Sequence, residues 1–441
     1  MAKKINGQKK YWWKDAKIYE LYIDKFAGDI PTLTENLDYF TKLGINCLHI
    51  LPHYPSPLVD EGYDVSDYRN IRPELGTLDD FKALVKAAHG CGIRIIVDFV
   101  FNHTSVEHPW FIEARSSKES PKRDYYLWSE KGTEFAGATN AFPDIKPNNW
   151  IYDAETNEYY YATFYPEQPD LNWDNPAVFE EMLANMEFWA EIGVDGFRLD
   201  AACYIIKREG TSSKGIPETH AMLKKIRARL EEKYPEVILV AEAHHDIATT
   251  KEYFGKGDEC HMAYHFGLME QIWLSLQRSD PERVRKTLLE SLDIPENCQW
   301  AIFLRNHDEV SFGTVPEEER AALLAFLDPD RRYVWERSGR TAIRIANIFQ
   351  NDRKKMEELY RLFYSLPGAH ITYYGDEIGM ENLDVREGVR DPRYYVRGKF
   401  DWQRAKLQMT DPQSLFSAVS RLIGAKNAQI VHLDEPAEAR A

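Results

Sequence analysis

The chain has 441 residues, of which 44% are hydrophobic and 29% are charged, so it is long enough to bury the core of one large domain. Its 55 basic and 71 acidic residues give a net charge of −16, which would repel nucleic-acid phosphates and anionic membrane surfaces. The composition therefore argues against a nucleic-acid or membrane partner and favours a neutral or cationic one.

The N-terminal residues and the cysteines indicate where the protein resides. The start, MAKKINGQKKYWW, is positively charged but has no apolar core, so it does not predict a signal peptide. No apolar run approaches the roughly 18 residues of a membrane span. The cysteines are odd in number and scattered, which is typical of reduced thiols, and we expect a cytoplasmic protein. They are Cys47, Cys91, Cys203, Cys260 and Cys298.

Short apolar runs that predict β-strands recur along the chain, and segments with helical character separate them, such as the amphipathic stretch 217–236. The runs do not alternate polar and apolar residues, as expected for strands of a parallel sheet that is buried on both faces. Eight strand–helix repeats predict a closed (β/α)₈ TIM barrel, an α/β fold. The strands are predicted near residues 16–23, 45–51, 93–100, 196–201, 237–243, 260–266, 300–306 and 369–377.

Between the third and fourth strands lies a long segment rich in tyrosine, asparagine, proline and charge. It is too long for an ordinary barrel loop, so residues 103–170 are predicted to form a small inserted subdomain over the C-terminal face of the barrel. The barrel itself would comprise residues 1–102 and 171–430, with a last helix around residues 412–428. Residues 431–441 would then be a polar tail.

Four predicted strands end in polar residues, within the segments DFVFNH, GFRLD, AEA and NHD. In a barrel, the loops after the strands build the active site. One carboxylate at such a position could equally be a helix cap or an ion-pair partner. Three carboxylates at one barrel mouth repel one another and cost free energy to desolvate, so together they indicate a reaction or a bound partner that uses them.

Two of these acids have surroundings that suit cleavage of a glycosidic bond with retention, which needs two carboxyl groups roughly 5–5.5 Å apart. Arg198 lies two residues before Asp200 on the same strand, so both side chains point to one face, and the arginine would keep Asp200 ionised. The apolar run VILVAEA around Glu242 would raise the pKa of that carboxyl. These surroundings favour Asp200 as nucleophile and Glu242 as proton donor.

Four segments together resemble the four signature segments of glycoside hydrolase family 13, the α-amylase family. They are DFVFNH, GFRLDA, the glutamate of VAEA, and LRNHDE. The resemblance implies that Asp200 is the nucleophile, that Glu242 is the general acid/base, and that Asp308 grips ring hydroxyls and stabilises the oxocarbenium-like state. It also implies that His103 and His307 hydrogen-bond the first sugar.

The segment EGYDVSDY resembles a family segment in which Tyr63 stacks on the sugar and Asp64 closes the floor of the pocket. Arg390, in REGVRDP, stands where exo-acting relatives carry an arginine that pairs with this aspartate. A pair between Asp64 and Arg390 would make a blind pocket for one terminal glucose. An ordinary surface position for Arg390 is the alternative.

The family resemblance also implies a calcium site, to which Asn102 and Asp170 would contribute oxygen ligands. Where relatives tend to carry a glutamate after the fourth strand, this chain has Lys207. An ammonium group beside two oxygen ligands satisfies them without a metal. We therefore expect no required cofactor, and a structural Ca²⁺ is the less favoured alternative.

Segments outside the signatures, among them NHTSVEHPWF and KREGTSSKGIPETH, resemble the trehalose synthase subfamily, mutases that interconvert maltose and trehalose. The resemblance implies a retaining enzyme that forms a covalent glucosyl-enzyme from a small α-glucoside such as maltose or trehalose. An α-glucosidase or transglucosidase is the alternative, since water and sugars compete for one intermediate. A non-catalytic barrel homologue would have lost its acids, and a metal-dependent barrel enzyme would need metal-ligand spacing that is absent.

The C-terminal part of the chain departs from the family pattern in two ways. The loop after the eighth strand reads VRDPRYYVRGKFDW, where mutases and α-glucosidases usually have TPMQW. The β-sandwich that normally follows the barrel is expected to be absent, which would leave one flank of the barrel bare. We therefore expect either a homo-oligomer interface or a shortened helix end on that flank.

Overall fold

The computed structural model describes residues 4–5, 8–9, 11–335 and 337–425. Eight parallel strands form a closed barrel in which each strand pairs with its neighbour in the chain and the eighth pairs with the first. This arrangement confirms the predicted TIM barrel. In chain order the strands, named β1 to β8, are Lys17–Leu21, Cys47–Ile50, Arg94–Val100, Gly196–Asp200, Ile238–Ala241, Met262–Tyr264, Gln299–Phe303 and Ala369–Tyr373.

Helices cover the outside of the barrel, and their ends follow local sequence signals. Helix 176–192 begins with Pro176 after the N-cap Asn175, whose side chain accepts from the Ala177 amide, and it ends at Gly193 with φ +109°. The helices of the barrel ring and its connections are Ile23–Phe26, Ile30–Glu35, Leu37–Leu43, Leu78–Gly90, Pro176–Ile192, Pro217–Lys233, Ile247–Lys251, Phe266–Arg278, Glu282–Glu290, Arg353–Ser365, Trp402–Thr410 and Leu415–Gly424.

The strands are apolar on both faces because side chains fill the barrel inside and helices cover it outside. Every residue of β2, β4, β5 and β8 is buried. The described residues also include the antiparallel strand pair Lys4–Ile5 and Gln8–Lys9, and the 3₁₀ turns Trp12–Asp15, Pro73–Leu75, Arg123–Tyr125, Ala202–Tyr204, Glu252–Phe254, Asp376–Ile378 and Pro392–Val396.

The segment 103–170 leaves the barrel after β3 and returns at the same place, since its terminal residues His103 and Asp170 form an antiparallel bridge. It contains the helix Pro109–Ser116 and a three-stranded antiparallel sheet of Trp128–Ser129, Trp150–Asp153 and Glu158–Tyr161. We call this segment the first insertion.

A second insertion, residues 309–352, follows β7 and was not predicted from the sequence. It contains the helix Glu317–Leu327, a hairpin of Val334–Trp335 and Arg340–Thr341, and the helix Ile345–Ile348. It touches the first insertion, because the Arg337 amide donates to Asp144 (2.8 Å) and the rings of Phe142 and Trp335 stack 5.6 Å apart. The two insertions thus meet above the C-terminal face of the barrel.

At the C-terminal end, the predicted helix at 412–428 is found as Leu415–Gly424, capped by Ser414. The predicted tail, 431–441, lies outside the described residues. All five cysteines are free, and only Cys91 is exposed. Among the described residues we find no helix with the length and apolar character needed to cross a membrane.

Candidate active site

The three predicted acids meet at the C-terminal ends of the barrel strands. Asp200 ends β4, Glu242 follows β5, and Asp308 lies shortly after β7. All three line one cavity of about 650 Å³, and so do Tyr63 and His103. The cavity lies within the size range of small-ligand sites. Aromatic rings from the insertion and from the loop after β4 complete its wall: Phe142, Phe164 and Tyr204.

Arg198 joins the two candidate catalytic carboxylates. Its Nη1 lies 2.7 Å from Asp200 Oδ1, and its Nη2 lies 2.5 Å from Glu242 Oε1. The guanidinium is buried and also contacts Asp98 (2.8 Å) on β3. Two carboxyls held on neighbouring nitrogens of one guanidinium fit the roughly 5–5.5 Å separation of retaining glycosidases better than the wider gap of inverting ones.

Burial and neighbouring charges shift the pKa values of both carboxyls. Burial raises the pKa of Asp200 well above its ordinary value, Arg198 opposes this, and Glu242 raises it further. Burial also raises the pKa of Glu242, against Arg198 and with the help of Asp308. Arg198, which was expected to keep Asp200 ionised, does lower the pKa of that carboxyl, but its effect is smaller than that of burial. Two repelling carboxyls in one buried site favour a single proton on the pair, and a retaining reaction needs that proton on Glu242 while Asp200 is ionised.

A second network fixes Asp308 and Tyr63. His307 Nε2 lies 2.6 Å from the Tyr63 hydroxyl and 3.2 Å from Asp308 Oδ2, while its Nδ1 lies 3.0 Å from Glu20 Oε1. The Tyr63 hydroxyl also donates to Asp98 Oδ2 (2.8 Å). These contacts hold the tyrosine ring rigidly at the cavity wall, where it can stack on a sugar face.

Glu20 and Asp98 are positioning residues that sequence reasoning missed. Glu20 is a fully buried acid within the apolar strand β1. Burial raises its pKa, but the contacts with His307 and His49 outweigh this and hold the pKa well below its ordinary value. The signal was a lone charged residue inside an apolar strand, which is unfavourable unless a buried partner compensates it.

His103 lies at the cavity as predicted, close to the first insertion. Its Nε2 lies 3.1 Å from the Tyr63 carbonyl, and its ring lies 5.3 Å from that of Phe164. Burial lowers the pKa of His103 to about 4, so the imidazole is neutral at neutral pH and can hydrogen-bond a sugar hydroxyl without carrying charge.

Asp64 and Arg390 do not pair, so this part of the predicted site was wrong. Asp64 is buried and accepts hydrogen bonds from the Ser56 hydroxyl and from the amides of Val59 and Asp60. Arg390 is exposed; its Nη2 lies 3.4 Å from the Ile145 carbonyl, and its guanidinium lies 5.3 Å from the centre of the Tyr165 ring. Asp64 therefore stabilises its own loop. Arg390 is an ordinary surface arginine, as the alternative interpretation predicted.

The ion pair found at the cavity wall is that of Asp60 with Arg393, at 2.6 Å. Arg393 also contacts Asp308 (3.1 Å), and Arg397 contacts Asp308 from another side (2.8 Å). Both arginines are buried. The 3₁₀ turn 392–396 carries Arg393 into the cavity, and sequence pattern alone does not show which arginine of this arginine-rich loop points inward.

The Lys207 side chain contacts both predicted calcium ligands. The Lys207 ammonium lies 2.5 Å from Asp170 Oδ2 and 2.8 Å from Asn102 Oδ1. Asp170 also accepts a bond from the Thr163 amide (2.9 Å). Asn102 and Asp170 therefore do not fit a Ca²⁺ site in this chain, because an ammonium group holds both oxygens. Within residues 11–335 and 337–425 no three His, Cys, Asp or Glu side chains form a candidate metal cluster.

We expect that Lys207→Met lowers the free energy of unfolding by about 3–5 kcal/mol, because it leaves the Asp170 carboxylate buried without its partner. Urea unfolding would measure the change, with the exposed Lys82→Met as a control that should cost less than about 0.5 kcal/mol. EDTA should leave the unfolding midpoint of the unmodified protein unchanged. A lower midpoint in EDTA would contradict the ammonium interpretation and restore a metal site.

Comparison with known proteins agrees with this geometry. Residues 6–328 match the family model of the α-amylase catalytic domain. A trehalose synthase/amylase of Mycolicibacterium smegmatis is 44% identical over 87% of this chain and 67% of its own length, and the trehalose synthase of Thermus thermophilus is 45% identical over 88% of this chain and 41% of its own.

The chain therefore spans about two thirds of the mycobacterial relatives and less of the Thermus protein. Among solved structures, a trehalulose synthase of Pseudomonas mesoacidophila MX-45 superimposes with a TM-score of 0.73 at 26% identity, over 95% of this chain and 84% of that one. The barrel, the three acids at its strand ends and these matches lead to one conclusion: the chain belongs to the α-amylase family of enzymes.

Proposed function

We propose that this protein is a retaining α-glucosyl transferase for small α-glucosides and that it interconverts maltose and trehalose. The observation that carries the proposal is the single Arg198 guanidinium that contacts both Asp200 and Glu242 inside the cavity. The high identity to trehalose synthases supports the choice of sugars. The free, mostly buried cysteines support the expected cytoplasmic location.

The first step uses the shared proton of the two carboxyls. Asp200 attacks the anomeric carbon of the terminal glucosyl unit while Glu242 donates its proton to the glycosidic oxygen, so the old bond breaks and a glucosyl ester forms. Asp308, held as a carboxylate by Arg393 and Arg397, accepts hydrogen bonds from ring hydroxyls and stabilises the positive charge that develops at the anomeric carbon.

The second step reverses the roles of the same groups. Glu242, now ionised, takes a proton from a hydroxyl of the acceptor sugar, and that oxygen attacks the anomeric carbon as the ester to Asp200 breaks. Attack by a different hydroxyl of the released glucose converts maltose into trehalose, or the reverse. Attack by water gives glucose instead.

Two features favour a sugar over water as the acceptor. The pair of Asp60 with Arg393 closes the end of the cavity beside Asp308, so only a terminal glucosyl unit fits there. The contact between Arg337 and Asp144 and the stacked rings of Phe142 and Trp335 join the two insertions above the cavity. A roof of this kind retains the released glucose and limits the access of water.

We expect that proton NMR of the protein incubated with maltose shows trehalose as the main new sugar and less free glucose than trehalose. The same equilibrium mixture should form from trehalose, because both directions use one intermediate. Glucose as the sole product from both sugars would establish an α-glucosidase and contradict the mutase. Products longer than maltose would instead indicate a transglucosidase.

A further inference from the structure

The interior of the barrel holds a buried histidine, His49, between two acids. His49 lies in the otherwise apolar strand β2 and is 2% exposed, while Glu20 on β1 and Asp98 on β3 are fully buried. In the strand register Glu20 is the partner of His49, and Asp98 lies two positions beyond Ile96, the partner of His49 on β3. Side chains two positions apart on a strand point to the same face, so the register brings the histidine and both acids to one side of the sheet.

The imidazole of His49 contacts both acids, one with each ring nitrogen. Its Nδ1 lies 3.1 Å from Glu20 Oε2, and its Nε2 lies 3.4 Å from Asp98 Oδ2. The hydroxyl of Tyr264 on β6 lies 3.5 Å from the same Nδ1 and donates to Glu20 Oε2 at 3.3 Å. A neutral imidazole has one N–H and one acceptor nitrogen, whereas the imidazolium donates from both. A ring with a carboxylate beside each nitrogen therefore favours the charged form.

The electrostatics of the barrel interior agree with this contact pattern. Burial lowers the pKa of His49, but the contacts with Asp98 and Glu20 outweigh this and raise the pKa above its ordinary value. Each of the two acids also has a second basic neighbour, since His307 lies 3.0 Å from Glu20 and Arg198 lies 2.8 Å from Asp98. His49 therefore adds a positive charge inside the barrel, next to the acid that shares Arg198 with the active site.

Asp98 competes with the two catalytic carboxyls for the charge of Arg198. The guanidinium contacts all three acids, and the other contact of Asp98 on this side is the uncharged Tyr63 hydroxyl (2.8 Å). Burial raises the pKa values of both catalytic carboxyls and Arg198 opposes it, while the charges of Asp98 and Asp308 raise both further. A cation on the far side of Asp98 therefore leaves more of the Arg198 charge to the catalytic pair.

We propose that His49 is a cationic positioning residue for catalysis, which neutralises Asp98 so that Arg198 serves the catalytic pair. The inference rests on the proposed function and assigns to it a residue outside the cavity wall. His49 acts only through Asp98 and Arg198, because it does not reach the cavity. Loss of its charge would leave the charge of Asp98 less compensated, and added negative charge near two carboxyls raises the pH at which each loses its proton.

The first test is the pH dependence of kcat/KM for maltose. Its acid limb follows the ionisation of the catalytic pair, and its alkaline limb follows the loss of the proton that Glu242 donates. His49→Gln keeps a polar side chain but removes the charge, so we expect both limbs to move to higher pH by about 0.5–1 unit. A lower plateau with both limbs in place would show a purely structural role for His49 and overturn the proposal.

Two further variants show whether the charge of His49 causes the shift. His49→Lys keeps a positive charge and should return both limbs to within about 0.3 unit of their original positions. His53→Gln is the matched control, because His53 is also fully buried and stacks on the ring of Phe81 (4.9 Å). Burial lowers the pKa of His53 to about 3, so its replacement removes no charge and should leave both limbs in place. Equal shifts in His49→Gln and His53→Gln would contradict the assignment.

Nitrogen NMR of the unmodified protein tests the charge of His49 without an activity measurement. With isotope-labelled histidine, both ring nitrogens of His49 should be protonated at neutral pH. The loss of one histidine signal in either His49 variant assigns that signal. A neutral His49 ring at neutral pH would overturn the proposal whatever the kinetics show.

The inference and the proposed function fail in different ways. If the unmodified protein turns over neither maltose, trehalose nor α-glucosyl fluoride, the proposed glucosyl transfer fails, and the catalytic role of His49 fails with it. Turnover of these compounds together with unmoved limbs in His49→Gln would overturn the role of His49 alone.

Discussion

Asp200→Asn should reduce kcat/KM for maltose by at least about 10³-fold, because an amide oxygen cannot form the glucosyl ester that both steps require. The change is nearly isosteric, and Arg198 keeps its contacts with Asp98 and Glu242. We therefore expect the fold to survive, as judged by the circular dichroism spectrum. The rate of loss of maltose, followed by proton NMR, would measure the effect.

Asp38→Asn is the matched control for this experiment. Asp38 is exposed on the helix Leu37–Leu43 and pairs only with Lys42 on the protein surface, where such a pair contributes little. Its activity should equal that of the unmodified protein. If Asp200→Asn retained full activity on maltose, trehalose and α-glucosyl fluoride, the assignment of the nucleophile would be wrong.

Arg393→Gln should lower kcat/KM for maltose by at least about 10²-fold, since it removes the nearest cation from the buried Asp60 and one of two arginines from Asp308. Asp60 would keep only Gln168 (3.2 Å) and the more distant Arg397 (3.9 Å). Arg390→Gln, three residues earlier, should change it by less than about threefold because that side chain is exposed. Steady-state kinetics of the two variants side by side measure the contrast.

The paired design distinguishes the two interpretations of the loop after β8. A large loss in Arg390→Gln with little change in Arg393→Gln would restore the pair of Arg390 with Asp64 that the sequence suggested. Thermal unfolding of both variants shows whether a loss of activity comes from lower stability. A loss of activity that parallels unfolding at the assay temperature would indicate a loss of stability and not a change in the pocket.

The barrel and the position of its acids could be predicted because they depend on local patterns. A parallel strand that is buried on both faces needs a continuous apolar run, and a polar residue directly after such a run lies at the C-terminal rim. Asp200 and Glu242 follow this rule on their own strands, and Asp308 lies a few residues beyond the end of β7. Their chemical roles stay predictions until the variants are measured.

The contact of Lys207 with the two predicted calcium ligands could be predicted from residue chemistry. A lysine where relatives tend to carry a glutamate indicated that an ammonium could meet Asn102 and Asp170, and the structure places Lys207 between them. The hairpin of the second insertion gave no comparable signal. Its hairpin strands are two residues long, too short to produce a periodic pattern.

By itself, the sequence determined the architecture, the family and the three acids at the strand ends, because apolar runs and short motifs are properties of neighbouring residues. Only the tertiary structure decided which charged residues meet. Asp60 and Arg393 are 333 positions apart, and each has a nearby alternative of the same type, Asp64 and Arg390. The choice between them depends on how two distant loops fold against each other, since each buried charge must find a partner that local sequence cannot specify.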